Sequence, residues 1–211
     1  AAGDGAAEDA RIHDEDSLSA IEMVLTGAIN KALARAITQA GGDGLGLSGT
    51  DSQILAAHKL TRHRPDPDSN IESTVDMGHV GQVERVNTGV LTALTEIGTI
   101  PVIAPMGLDE AGQRYNINAD AAAGAIAGAL GARRLMLSSD MGAVHDRNGA
   151  PLSALTGKEA GALIRDEVVL GGILARVSTA LEALRRGVNG AVILDVAQPH
   201  ALLVEAFTDA G

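Results

Sequence analysis

Helix-like and strand-like segments alternate along most of this chain. Apolar residues recur at helical spacing over 15–40, and the Gly41-Gly42 pair is expected to end that helix. Short runs rich in β-branched residues predict strands at 44–47, 53–60, 80–86, 100–105, 134–138 and 191–195. Further helices are predicted at 88–97, 121–130, 158–165, 175–186 and 199–207. This order predicts an α/β fold of parallel βαβ units with helices on both faces.

Composition excludes several classes of partner and location. The 211 residues can form one large domain or two small ones. A net charge of −11, with one tyrosine, one phenylalanine and no tryptophan, argues against a nucleic-acid partner. The apolar runs are strand-sized and the N-terminus is polar and acidic, so neither a membrane span nor a secretory signal is predicted. The absence of cysteine fits a reducing compartment, and a cytoplasmic location is expected.

Two further segments carry local predictions. Pro65 and Pro67 predict a loop over 62–69, and 61–75 is the best candidate for a flexible connection. Residues 44–49, GLGLSG, match the GxGxxG pattern of dinucleotide-binding turns. That pattern should follow a strand and open a helix, whereas these glycines are predicted to form the strand itself. Close backbone packing is therefore the favoured interpretation of the glycines.

Three polar residues, Asn116, Asn118 and Asp120, lie where a strand-like segment runs into a helix of small residues. Any one of them could serve simply as the helix N-cap, because its side-chain oxygen satisfies a free amide. Three together exceed that need. Two amides offer paired donors and acceptors for a carboxylate or acetamido ligand, and a carboxylate at a helix start can orient cations. Capping and ligand binding both remain open here.

The second half of the chain offers candidates for nucleotide binding. Asp140 and Asp195 each follow a predicted strand, and ligands of open α/β sheets bind beyond such carboxyl ends. Gly171 and Gly172 precede a predicted helix with Arg176 in its first turn. Amides at a glycine-rich helix start can hold phosphate, and an arginine adds positive charge. The alternatives are strand-end aspartates that cap turns and a plain surface loop.

Several motifs resemble, in the same order, those of the N-acetylglutamate kinases in the amino-acid kinase family. They extend over nearly the whole chain: IEMVLTG (21–27), INK (29–31), GLSG (46–49) with Asp51, GQVERVN (81–87), IPVIAPMG (100–107), YNINAD (115–120), Gly171-Gly172, PHALL (199–203) and FTD (207–209). Together, ordered motifs are far more specific than any one of them. We therefore identify the chain as a member of this family.

The resemblance implies a three-layer α/β/α sandwich with a mainly parallel central sheet. Residues 1–112 would form the lobe that binds N-acetyl-L-glutamate, and residues 113–211 would form the lobe that binds ATP with Mg²⁺. The family phosphorylates the side-chain carboxylate of N-acetyl-L-glutamate in arginine biosynthesis, and a homo-oligomer is expected. No residue of the protein is assigned as a metal ligand.

Residue roles also follow from the resemblance. Arg11 resembles the arginine that pairs with the substrate α-carboxylate, and Asn116 resembles the asparagine that contacts the same substrate. Asp120 resembles the aspartate that organises the catalytic lysines, and Arg176 occupies the position of one of those lysines. Asp140, Gly171 and Gly172 would contact the nucleotide.

The chain departs from the family at several positions. Arg176 stands where the family has lysine, Thr50 stands where lysine is common, and Val196 stands where glycine is common. The family's opening strand, its glycine-rich loops and a second lysine would precede Arg11, so these N-terminal strands are expected to be missing. Impaired phosphoryl transfer is expected, because that reaction relies on cations placed around the transferring group.

Three hypotheses about activity stay open from the sequence. The chain could be an N-acetylglutamate kinase with weakened transfer, or a homologue that binds ligand or a partner subunit without turnover. A third is a family member that forms another acyl phosphate, although the motif at 115–120 favours acetylglutamate.

Overall fold

The computed structural model describes residues 14–65, 72–140 and 144–208, and it confirms the predicted α/β fold. The chain forms two units, Ala1–Ala122 and Ala123–Gly211. The boundary between the lobes predicted from the sequence lies instead after residue 112. The assignment of a ligand to each lobe stays a prediction.

A long helical segment opens the described part of the first unit. It consists of α1 (Glu15–Glu22), a π-helical stretch (Met23–Ile29) and α2 (Asn30–Gln39), which confirms the helix predicted over 15–40. Asp14 caps α1, because its side chain accepts from the backbone N–H of Ser17 at 2.6 Å. The helix ends at Gln39 with Ala40 as its C-cap, and Gly41 follows with a φ of +91°, which suits a residue without Cβ.

Helix α2 packs against two parallel strands, β1 (Asp43–Ser48) and β4 (Thr99–Ala104), and α3 (Gly89–Glu96) leads into β4. The GxGxxG glycines therefore lie mainly in a strand, as the sequence favours. A Cβ added to Gly44 would come within 2.9 Å of Cβ of Ile37, so this glycine permits close contact with α2. No α-helix opens at this motif: the Ser48 N–H donates to Asp51 at 2.8 Å, and only a short 3-10 helix (Asp51–Gln53) follows.

Four further strands of the first unit close into a small mixed barrel. They are β2 (Leu55–Pro65), β3 (Glu72–Val86), β5 (Met106–Leu108) and β6 (Arg114–Ile117). Strands β2 and β3 form an antiparallel hairpin, and β6 pairs parallel with β3 and antiparallel with β5.

The predicted loop over 62–69 is wrong for its first residues, because β2 continues to Pro65. Backbone pairing of β2 with β3 extends outward to Pro65 and Glu72. A proline is compatible with the end of such a hairpin, where one missing N–H costs little pairing. The remainder of the predicted loop, 66–69, lies outside the described residues.

Helix α1 covers part of this barrel through an apolar cluster. Leu18 of α1 packs with Met77, Val80 and Met106, and all of these side chains are buried. Ile21 adds to the same cluster from the next turn of the helix. Burial of this apolar face, rather than helix propensity alone, holds α1 against the strands.

In the second unit, two strands pair in parallel and helices supply the rest of the core. The strands are β7 (Leu135–Ser139) and β8 (Ala191–Asp195), and the helices are α4 (Ala119–Ala129), which begins in the first unit, α5 (Gly157–Arg165), α6 (Gly171–Arg185) and α7 (Ala201–Phe207). Residues 146–149 form a turn between His145 and Pro151, which form an antiparallel bridge. Across the described ranges, no helix is both long and apolar enough to span a membrane.

Asn30 ties α2 to both strands of the first parallel pair. Its side-chain amide donates to the carbonyl oxygens of Leu47 at 3.1 Å and Val102 at 2.8 Å, and the residue is 2% exposed. Unlike an exposed polar group, a buried donor that bridges two strands cannot be replaced by water without rearrangement.

We expect Asn30→Ala to lower the free energy of unfolding by about 1–3 kcal/mol, because two part-buried carbonyls lose their donor. Urea unfolding followed by circular dichroism measures this change. Gln39→Ala, at the exposed end of the same helix, is the matched control and should change little. Equal stability of the two variants would show that the Asn30 bridge contributes nothing.

Candidate functional site

The candidate site of the first unit is built on strand β6. Its side chains alternate, with Tyr115 and Ile117 buried and Arg114 and Asn116 half-buried on the opposite face. Asn116 lies in register with Val80 of β3 and with Met106 of β5. Those two residues contact α1, so Asn116 is presented on the face of the sheet that α1 partly covers.

A hydrogen-bonded turn fixes the entry into β6. Asp109 accepts from the backbone N–H groups of Ala111 and Gln113, each at 2.9 Å, and from the hydroxyl of Tyr115 at 3.0 Å. The bond from the Gln113 N–H is the main cause that lowers the pKa of Asp109 below its ordinary value. Burial, together with Asp109, raises the pKa of Tyr115. The phenol therefore stays protonated and donates to the turn.

Close packing on the inner face also positions β6. A Cβ added to Gly81 would lie 2.5 Å from Cβ of Tyr115, so only glycine allows this approach. Gly107 plays the same part opposite Ile117, where an added Cβ would lie 2.6 Å from that side chain. Both glycines belong to motifs that carried the family resemblance, and here they have a direct packing reason.

The structure separates the roles of the three polar residues that follow. Asn118 caps α4, because its side-chain oxygen accepts from the Ala121 N–H at 3.1 Å. This matches the capping alternative for that residue. Asp120 lies in the first turn of the same helix and is half-buried. Asn116 and Asp120 therefore remain the candidates for ligand contact in this segment.

In the second unit, Asp140 and Arg176 come together. Asp140 follows β7, and its carboxylate lies 3.8 Å from Nη2 of Arg176. The Arg176 side chain is 19% exposed, whereas that of Asp140 is 83% exposed. A mostly buried guanidinium beside an exposed carboxylate suits a site that receives a charged ligand from solvent. Asp195, by contrast, accepts from the Ala197 N–H at 2.9 Å, which fits a turn-capping role.

The start of α6 differs from the sequence prediction. The helix begins at Gly171 rather than near residue 175, so the glycine pair forms its first turn and Arg176 lies in the second. Leu170 is the N-cap and supplies no side-chain hydrogen bond. Gly171 has a φ of +61° and open space where a Cβ would stand. A left-handed start made possible by glycine extended the helix beyond the predicted limit.

Sequence reasoning missed Arg114, which contacts three side chains of α1. The signal was present in the spacing of Glu15, Ser19 and Glu22, which places them on one helix face. That their partner would come from a distant strand could not be read from spacing. Arg11, the predicted contact for the substrate α-carboxylate, lies outside the described residues.

The Asp109 turn gives a pH prediction. Because its folded pKa is depressed, the stabilising contribution of Asp109 is complete above the ordinary value of 3.8 and is lost as the pH falls through the folded pKa. Above about pH 5, we expect the unsubstituted chain to unfold at a higher urea concentration than Asp109→Asn, by a constant amount. Below about pH 4, this difference between the two midpoints should shrink. A difference that persists unchanged at pH 3 would contradict this account of the turn.

Comparison with known proteins gives consistent matches. The chain matches the Amino acid kinase family over residues 2–195. It is 48% identical over 201 residues to the acetylglutamate kinase of Gluconobacter oxydans, covering 95% of this chain and 68% of that protein. It is 46% identical to the acetylglutamate kinase of Rhodospirillum centenum, covering 66% of that protein. The chain thus spans about two thirds of the length of these relatives.

Solved structures of related proteins also match this chain. An N-acetylglutamate synthase from Neisseria gonorrhoeae, complexed with coenzyme A and N-acetyl-glutamate, matches with a TM-score of 0.76 and 26% identity. That match covers 95% of this chain and 43% of the synthase chain. The carbamate kinase of Giardia lamblia matches with a TM-score of 0.59 at 13% identity, which bears on the fold alone. It covers 90% of this chain and 71% of the kinase chain.

Proposed function

This chain belongs to the amino acid kinase family, and we propose that it acts as an acetylglutamate kinase that phosphorylates the side-chain carboxylate of N-acetyl-L-glutamate. The main support is that the chain is 48% identical, over 95% of its length, to a protein named acetylglutamate kinase. Support also comes from the complex of the Neisseria synthase with N-acetyl-glutamate. We also propose that this enzyme acts in arginine biosynthesis and that it is located in the cytoplasm.

Arg11 and Asn116 would bind N-acetyl-L-glutamate. An arginine suits the α-carboxylate because its planar fork donates two parallel hydrogen bonds. Asn116 offers both a donor and an acceptor to the acetamido group, and β6 holds it on the face of the sheet that α1 partly covers. These two groups recognise the ends of the substrate that do not react, leaving the side-chain carboxylate for transfer.

Gly171, Gly172 and Asp140 would bind ATP. The first amides of α6 have no side-chain cap at Leu170, and the space beside Gly171 is open, so the helix start fits a phosphate group. Mg²⁺ would accompany ATP and offset charge on its phosphates, since this ion favours phosphate oxygens with few protein ligands. The residues present therefore fit a nucleotide.

Arg176 and Asp120 would act on the reaction itself. An oxygen of the substrate side-chain carboxylate attacks the γ-phosphorus of ATP, the bond to the bridging oxygen breaks, and ADP leaves with the electron pair. Arg176 would offset the negative charge on the transferring group, with Asp140 beside it to hold the guanidinium. Asp120 would orient cationic groups from the first turn of α4.

The arginine at position 176 favours a slower enzyme than a family member with lysine there. A guanidinium keeps the charge but spreads it over a broader group, which positions it less closely against a phosphoryl group. The alternative of a non-catalytic homologue has no observation in its favour, because the matched relatives are named as kinases. The assay below separates the two.

A homo-oligomer is also part of the proposal. The helical segment that includes α1 and α2 exposes large apolar side chains at Met23, Val24, Ile29 and Leu33, each between 48% and 68% exposed. Several exposed large apolar side chains on one helical segment are more typical of a surface that a second copy covers than of a monomer surface. Analytical ultracentrifugation should give a mass above that of one chain, and a purely monomeric species at micromolar concentration would contradict this part.

The activity is tested by ADP release in a coupled assay with N-acetyl-L-glutamate. We expect turnover that Arg176→Ala lowers by about 10³-fold, because a charge that stabilises the transferring group is lost. Arg176→Lys should raise turnover. Arg185→Ala, on the exposed side of the same helix, is the matched control and should leave it unchanged.

Binding measured alongside the assay distinguishes the alternatives. Calorimetric binding of N-acetyl-L-glutamate and ATP without any ADP release would favour the non-catalytic homologue. If neither N-acetyl-L-glutamate nor ATP binds, both the kinase and the non-catalytic homologue are contradicted.

A further inference from the structure

One arginine of β6 is bound by a face of helix α1. Arg114 donates from Nη1 to Glu22 at 2.5 Å, and from Nη2 to Ser19 at 3.2 Å and to the carboxylate of Glu15. The three helix residues are spaced by about one turn each and lie on one face of α1. Side chains from both ends of the helix therefore converge on a single guanidinium. We call Arg114, Glu15, Ser19 and Glu22 the α1–β6 cluster.

This cluster is more than an ordinary surface ion pair. The side chains of Arg114 and Glu22 are 31% and 22% exposed, and one cation serves two carboxylates. The bond from Arg114 lowers the pKa of Glu15, and the two glutamates raise that of Arg114. His79 also faces Glu15, with 3.9 Å between Nδ1 and the carboxylate. Without Arg114, two negative charges would stand on one helix face.

The cluster adjoins the strand that carries Asn116, one of the proposed substrate contacts. Arg114 and Asn116 share one face of β6, and the neighbours in register with Asn116, Val80 and Met106, pack against Leu18 of α1. Glu15 is the first residue of α1, so Arg114 joins the strand that carries Asn116 to the start of that helix.

We infer that Arg114 is a positioning residue for N-acetyl-L-glutamate, which it serves by neutralising the negative charges of Glu15 and Glu22 beside the proposed substrate contact on β6. This inference rests on the proposed function. N-acetyl-L-glutamate carries two carboxylates, so uncompensated glutamates beside its proposed contact on β6 would repel it. Arg114 itself need not touch the ligand, since its task is to set the charge and position of groups around it.

Charge compensation and mere tethering predict different results in a set of variants. We expect Arg114→Gln to weaken calorimetric binding of N-acetyl-L-glutamate by about tenfold or more, with ATP binding within about twofold. Adding Glu15→Gln and Glu22→Gln to that variant removes the uncompensated charges and should recover most of the lost affinity. Raising the salt concentration should also reduce the loss of affinity in Arg114→Gln, because screening weakens the repulsion between the glutamates and the ligand.

Two further variants serve as controls. Lys59→Gln removes a cation from an exposed ion pair with Asp76 in the same unit, and should leave both affinities unchanged. Arg114→Lys keeps one charge but cannot bridge two carboxylates, so its affinity should fall between those of Arg114 and Arg114→Gln. If Arg114→Gln fails to fold, the affinity of Arg114→Lys for N-acetyl-L-glutamate can be compared with that of the unsubstituted chain instead.

The outcomes are distinct for the inference and for the proposed function. Equal loss of N-acetyl-L-glutamate and ATP binding in Arg114→Gln, or no recovery in the triple variant, would overturn the positioning role while leaving the kinase proposal intact. Failure of the unsubstituted chain to bind N-acetyl-L-glutamate would overturn both.

Discussion

The alternation of side chains along the four residues of β6 organises the first unit. Tyr115 and Ile117 face the barrel core, where glycines of neighbouring strands leave room for them. Because a strand places successive side chains on opposite faces, Arg114 and Asn116 must then face α1. A shift of one residue would reverse all four, which would expose the ring and bury the guanidinium. Packing of the ring thereby determines where the polar groups stand.

The polar side of the same unit depends on that register. Asp109 fixes the turn before β6, Arg114 joins β6 to α1, and Asn118 caps the helix that follows. Each of these bonds gives a polar group of the segment a partner within the protein. In our proposal, Asn116 on β6 and Asp120 in the first turn of α4 act on ligands from this same segment.

Much of the fold followed from local pattern, and the errors have physical causes. The helix over 15–40 and the strands around 100–105 and 191–195 were predictable, since their periodicity extends over whole elements. The hairpin end at Pro65 was not, because antiparallel pairing with the next strand, which reaches Glu72, outweighed a local turn signal. The start of α6 was missed because Gly171 adopts a left-handed conformation that residue type permits but does not require.

The sequence by itself determined the alternation of elements, the family and the identity of the candidate residues, because these depend on residue order and local periodicity. The tertiary structure decided which candidates meet. It brought Arg176 within reach of Asp140, assigned Asn118 to a helix cap, and set Arg114 against Glu15 and Glu22 across a large separation in the chain. Such contacts depend on how strands pair and helices pack, and no local pattern encodes that pairing directly.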